Sequence, residues 1–126
     1  MASKLTIAVI DDDESVRLAL GRLLKSVDMH AELFPSAEEF LRSGRLPGMG
    51  CLVLDVMMPG MSGVELQEQL IASDSPVPII FITAHGDEAT RARALERGAV
   101  DFLRKPFSDE SLLDAIATAT PREVSA

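Results

Sequence analysis

The stretch 5-LTIAVIDDDESVRLALGRLLKSV-27 changes character twice. An apolar run, 5–10, meets three aspartates and a glutamate. A periodic stretch follows in which Val16, Leu20, Leu23, Leu24 and Val27 share one helical face. The first run is apolar almost without alternation, the pattern of a strand covered on both sides in a parallel sheet. One strand followed by one amphipathic helix is a βα unit.

The same unit recurs along the chain. Further strands are expected at 30–34, 51–55, 78–83 and 101–105, and further helices at 36–43, 62–73, 87–98 and 108–119. Ser36 with Glu39 and Ser62 with Glu65 have the spacing of capping boxes. Gly98 stands where a helix ends, and 43-SGRLPGMG-50 reads as a loop. Strands joined by helical crossovers run parallel, and such crossovers are right-handed. The expected fold is α/β: a (βα)5 doubly wound, five-stranded parallel sheet in an α/β/α sandwich.

Composition narrows the function. The 126 residues suffice for one core, and 47% of them are apolar, which excludes a disordered chain. No apolar run reaches the roughly 18 residues of a membrane span, and the start of the chain lacks the pattern of a signal peptide. The single cysteine, Cys51, excludes an internal disulfide framework and fits a cytoplasmic setting. A net charge of −8 argues against direct nucleic-acid contact by this domain.

Parallel strands end on one edge, where open α/β sheets bind ligands. The strands here end in Asp11 and Asp12, Asp55, Thr83, and Lys105. Three carboxylates crowded together repel one another, which a divalent cation relieves. Mg²⁺ prefers oxygen ligands and keeps positions open for water and phosphate. An aspartate beside it can act as a nucleophile toward phosphorus, with a lysine and a hydroxyl complementing the phosphoryl oxygens. Asp13 and Glu14 fit the first turn of a helix better than a metal site. His30 and His85 lack metal-ligand spacing, and Met57, Met58 and Met61 suit packing and loop positions rather than a sulfur site.

The residues 10-IDDD-13, 55-DVMMPGMSGVEL-66, 83-TAHGD-87 and 105-KPF-107, in this order, resemble the receiver domain of two-component response regulators, the CheY-like (flavodoxin-like) fold. The resemblance covers residues 4–119. The segments MPGMSG and GAVDFLRKPF are most similar to FixJ/NarL-type receivers. It implies strand order 2-1-3-4-5, a receiver over 1–119, and 120–126 as a tail or the start of a linker. It implies Asp55 as phosphoacceptor from a sensor histidine kinase, with Mg²⁺ held by Asp11, Asp12, Asp55 and the Met57 carbonyl. Thr83, Ala84, Lys105 and Phe102 become the phosphate-binding and switching set, and the Lys105–Pro106 peptide is expected to be cis. Met57 and His85 stand where the family tunes dephosphorylation. The 87–119 face becomes a surface for a phosphorylation-dependent homodimer or another partner. A fused or separate DNA-binding output domain and a role in transcription regulation are implied in turn. On this reading the domain is a signalling switch and not a turnover enzyme. Two other classes compete. One is a haloacid-dehalogenase-like phosphatase, from the D-x-D within Asp11–Asp13, although the acidic pair such enzymes need is missing. The other is an interaction module that never uses its aspartate.

Overall fold

Every strand of the sheet is short and every crossover is helical. The computed structural model describes residues 5–84 and 87–120. The strands are β1 (Thr6–Ile10), β2 (His30–Phe34), β3 (Cys51–Asp55), β4 (Ile79–Thr83) and β5 (Asp101–Arg104). The helices are α1 (Glu14–Ser26), α2 (Ala37–Ser43), α3 (Gly63–Ala72), α4 (Glu88–Glu96) and α5 (Asp109–Ala119). The five strands are all parallel, in the order β2-β1-β3-β4-β5. The fold and strand order are those expected from the sequence.

Residues alternate between the two faces of the sheet, so each central strand feeds two cores. Ala8, Ile10, Leu52, Leu54 and Phe81 pack with Phe40 of α2 and with Leu66 and Leu70 of α3. Ile7, Val9, Val53, Ile80 and Ile82 pack with Leu20 and Leu24 of α1 and with Leu112 and Ile116 of α5. Almost all of these are wholly buried, and each such side chain contributes roughly 1.5–3 kcal/mol relative to exposure. Full burial of β3 and β4 on both sides is what their unbroken apolar runs encode. Helix α4 is seated differently, since Ala94 is its only wholly buried side chain. It leans on α3 through Gln67, whose Nε2 donates to the Ala94 carbonyl at 3.1 Å, and through an exposed Arg97–Glu68 ion pair.

The helix starts are marked by side chains. Asp13, Ser36, Ser62, Asp87 and Ser108 each accept from a backbone amide of the first turn, and each cap is worth about 1 kcal/mol. The full capping box forms at Ser62 and Glu65, but at Ser36 only the serine half does. Gly98 follows α4 with φ +104°, the left-handed conformation expected at a helix exit. Two details differ from the sequence reading. Val27, assigned to the buried face of α1, caps its C-terminus and is 40% exposed. The loop 43–50 contains a short 3₁₀ turn, Leu46–Gly48, with Pro47 in its first positions.

Candidate functional site

The C-terminal edge of the sheet gathers the charged strand ends into one crevice. Oxygens of Asp11, Asp12 and Asp55 all lie within 4.8 Å of one another. Asp11 is wholly enclosed and Asp55 is 6% exposed, while Asp12 lies at the open mouth. β1 and β3 are neighbours in the sheet, so their exits bring Asp11 and Asp55 together.

Asp11 is held at every polar atom. Its amide donates to the Phe34 carbonyl at 3.1 Å. Its Oδ1 accepts from the Asp13 amide at 2.9 Å, and its Oδ2 accepts from Lys105 Nζ at 2.8 Å. Its carbonyl accepts from Arg17 of α1 at 2.6 Å. Asp55 Oδ1 accepts from the Met57 amide at 3.2 Å, and its Oδ2 lies 3.6 Å from Lys105 Nζ. Among the described residues, no hydrogen bond or ion pair engages the Asp12 carboxylate.

The electrostatics follow this geometry. Burial, then the charge of Asp11, pushes the Asp55 carboxyl up to about 6, against the pull of Lys105 and the Met57 amide. Burial works against the Lys105 charge as well, but the hydrogen bond and charge of Asp11, with help from Asp55, hold its pKa above the usual lysine value. The ammonium thus serves Asp11 first and Asp55 second, because the contact with Asp11 is the shorter one. Asp55 remains an under-compensated carboxylate.

The remaining strand ends line the same edge. Thr83 closes β4 and is wholly buried, and its carbonyl accepts from the Lys105 amide at 2.7 Å. Ala84 follows it and is exposed. Phe102 of β5 is half-buried against Phe81, with ring centroids 6.1 Å apart. The Lys105–Pro106 peptide is cis. Met57 points outward at 62% exposure. Asp13 caps α1 through Ser15 and Val16 and takes no part in the acidic group. His85 lies outside the described residues.

Three positions escaped the sequence reading. Gly63 opens α3 against the end of β3, where an added Cβ would stand 2.2 Å from the Asp55 carbonyl oxygen. Glu38 of α2 reaches over to accept from the Met61 amide at 2.8 Å, bracing the loop that follows Asp55. Arg17 braces the loop that carries Asp11 and Asp12. The only signal for Gly63 was a glycine where a better helix former belongs, and nothing local marked the other two.

The response regulator receiver domain family matches residues 7–117.

The chain belongs to that family.

Nodulation protein W of Bradyrhizobium diazoefficiens is 46% identical to this receiver over 122 residues, which are 97% of this chain and 54% of the relative. Transcriptional regulatory protein FixJ of the same organism is 46% identical over 121 residues, covering 94% of this chain and 58% of that protein. The solved structure of the response regulator StyR superposes with a TM-score of 0.87 at 51% identity, covering 94% of the receiver and 60% of that chain. The receiver thus spans little more than half the length of the relatives it matches. As a receiver it is a signalling domain of two-component response regulators, a class typical of transcriptional regulators. Among the described residues, no helix is long and apolar enough to cross a membrane.

Proposed function

We propose that Asp55 is the phosphoacceptor of this receiver. The observation that carries the reading is a nearly buried aspartate at the exit of the central strand, 3.6 Å from a lysine and within reach of two further acids. A carboxylate oxygen of Asp55 attacks the phosphorus of a histidine kinase phosphohistidine. The P–N bond breaks, its electron pair leaves with the imidazole, and a mixed anhydride forms on Asp55.

The acidic cluster fits a divalent cation, since three carboxylates converge and the Asp12 group is unengaged among the described residues. Asp11, Asp12, Asp55 and the Met57 carbonyl would hold Mg²⁺, which supplies positive charge to the carboxylates and the transferring phosphoryl group. Lys105 then neutralises a phosphoryl oxygen, and Thr83 donates its hydroxyl to another beside Ala84. Phe102, already in contact with Phe81, follows Thr83 inward. These shifts bias the face formed by 87–119 toward a second copy or another partner.

The domain is read as 1–119, with 120–126 leading toward an output domain that binds DNA. It works in the cytoplasm as a switch that phosphorylates and dephosphorylates itself and turns over no external metabolite. Membership of the receiver family weighs against the dehalogenase-like phosphatase.

Intact-protein mass after incubation with acetyl phosphate tests the reading. One added phosphate that requires Mg²⁺, is lost with EDTA, and is absent from Asp55→Asn is the expected result. An adduct that persists in Asp55→Asn removes Asp55 from the role. No adduct in any condition, together with no Mg²⁺ binding, leaves the interaction module in its place.

A further inference from the structure

Arg17 sits beside the most acidic segment of the chain, 11–14, yet among the described residues it makes no ion pair. Its guanidinium donates instead to a neutral acceptor, the carbonyl of Asp11, at 2.6 Å. A cation placed to neutralise acids would take a carboxylate, because charge-assisted pairs are the stronger ones. The choice of a main-chain carbonyl gives the contact a geometric meaning.

That carbonyl belongs to the peptide joining Asp11 to Asp12. A peptide unit is planar, so fixing its oxygen fixes the plane on which Asp12 hangs. On the far side of Asp12, the Asp13 amide is held by Asp11 Oδ1 at 2.9 Å. The backbone of Asp12 is therefore pinned before and after, while its carboxylate stays at the mouth, unengaged among the described residues and close to Asp11 and Asp55. A rigid base under a free ligand is what a metal site needs from the residues around it.

We infer that Arg17 is a positioning residue for the cation site, holding the Asp11–Asp12 peptide so that the Asp12 carboxylate faces the other two acids. This rests on the reading of the acidic cluster as the Mg²⁺ site. It assigns the end of the first turn of α1 a part in metal binding, although the Arg17 side chain is not a ligand.

The sign of the effect separates this role from a simple charge effect. A cation near three carboxylates repels Mg²⁺, so its removal on charge alone tightens binding. Loss of positioning weakens it, and partners that orient metal ligands typically carry about 10–100-fold in affinity.

The experiment is calorimetric titration of the metal-free full chain with Mg²⁺, for wild type, Arg17→Ala, Arg17→Lys and Asp12→Asn. Arg17→Ala is expected to bind about tenfold more weakly. Arg17→Lys, which keeps one donor, is expected to recover at least half of that loss on a logarithmic scale. Thermal midpoints in EDTA should match wild type, and the Asp11 carbonyl ¹³C resonance of Arg17→Ala should shift before any metal is added. Tighter or unchanged binding by Arg17→Ala overturns the proposal, as does a loss that Arg17→Lys leaves unrecovered. If wild type binds no Mg²⁺, or Asp12→Asn binds it equally well, the reading of the cluster falls and the role of Arg17 falls with it. If both of those controls behave and only the Arg17 variants do not, the positioning role alone is wrong.

Discussion

Replacing Asp55 by asparagine should stabilise the metal-free protein at neutral pH and leave it unchanged near pH 4. Burial and the charge of Asp11 push the Asp55 carboxyl up to about 6 in the folded chain, from an ordinary value of 3.8. The folded state holds this proton more tightly than the unfolded state does. The group therefore favours folding when protonated, fully below pH 3.8, and that contribution is lost as pH rises through 6. A difference of about two pH units, at about 1.4 kcal/mol each, makes the loss about 3 kcal/mol by pH 7.5. Asparagine keeps the shape and carries no charge to bury. Lys105 keeps its nearer partner, Asp11, at 2.8 Å, so about 2 kcal/mol of the gap should survive removal of the Asp55 charge. In a domain of this size that corresponds to about 6–10 °C in melting temperature. Paired circular-dichroism melts in EDTA from pH 4.5 to 8 measure it. The gap should open as pH rises through 6, and Mg²⁺ should narrow it by stabilising wild type selectively. Equal midpoints at pH 7.5, or a gap that widens toward acid, would refute the account of Asp55 as an under-compensated carboxylate.

Three further outcomes are expected. Lys105→Met leaves Asp11 wholly buried beside Asp55 without its cation, and should destabilise the metal-free protein by about 3 kcal/mol in urea titrations at pH 7.5; a change below about 1 kcal/mol counts against the pairing. Gly63→Ala drives a Cβ to 2.2 Å from a backbone oxygen that has no rotamer to escape into, so a loss of about 2 kcal/mol is expected in the same titration. A gain, as helix propensity alone predicts, would show that α3 does not pack so closely on β3. The Cys51 thiol is buried and pushed up to about 12, so a disulfide thiol reagent at pH 8 should leave it untouched in the folded chain and modify it fully in denaturant.

The parts of this structure that a reader of the sequence can see are those written in periodicity and at strand ends. The unbroken apolar runs of β1, β3 and β4 announce burial on both faces, and burial on both faces demands crossovers. Once the strands are parallel, Asp11, Asp55, Thr83 and Lys105 must share an edge. What the sequence hides is contact between elements remote in the chain or differing in exposure. Lys105 lies 94 positions from Asp11, and no local pattern says that Asp11 receives its closer hydrogen bond and Asp55 the longer contact. Glu38 and Met61 meet only because α2 and the β3–α3 loop border the same crevice. Val27 continues the apolar face of α1 by spacing, but the helix ends before it, so periodicity overshoots the element by one residue.

The light seating of α4 has a thermodynamic consequence. With Ala94 as its single wholly buried side chain and Leu95 packed beside it, this helix can detach while exposing only a small part of one core and none of the other. The energy that keeps the sheet folded and the energy that keeps α4 docked are then largely separate quantities. Amide exchange should report two levels of protection, with the amides of α4 exchanging through a local opening far below the global unfolding energy and those of β3 and β4 only through the latter. Substitutions along α4 could accordingly reset how often it lifts while leaving the melting temperature of the domain almost where it was.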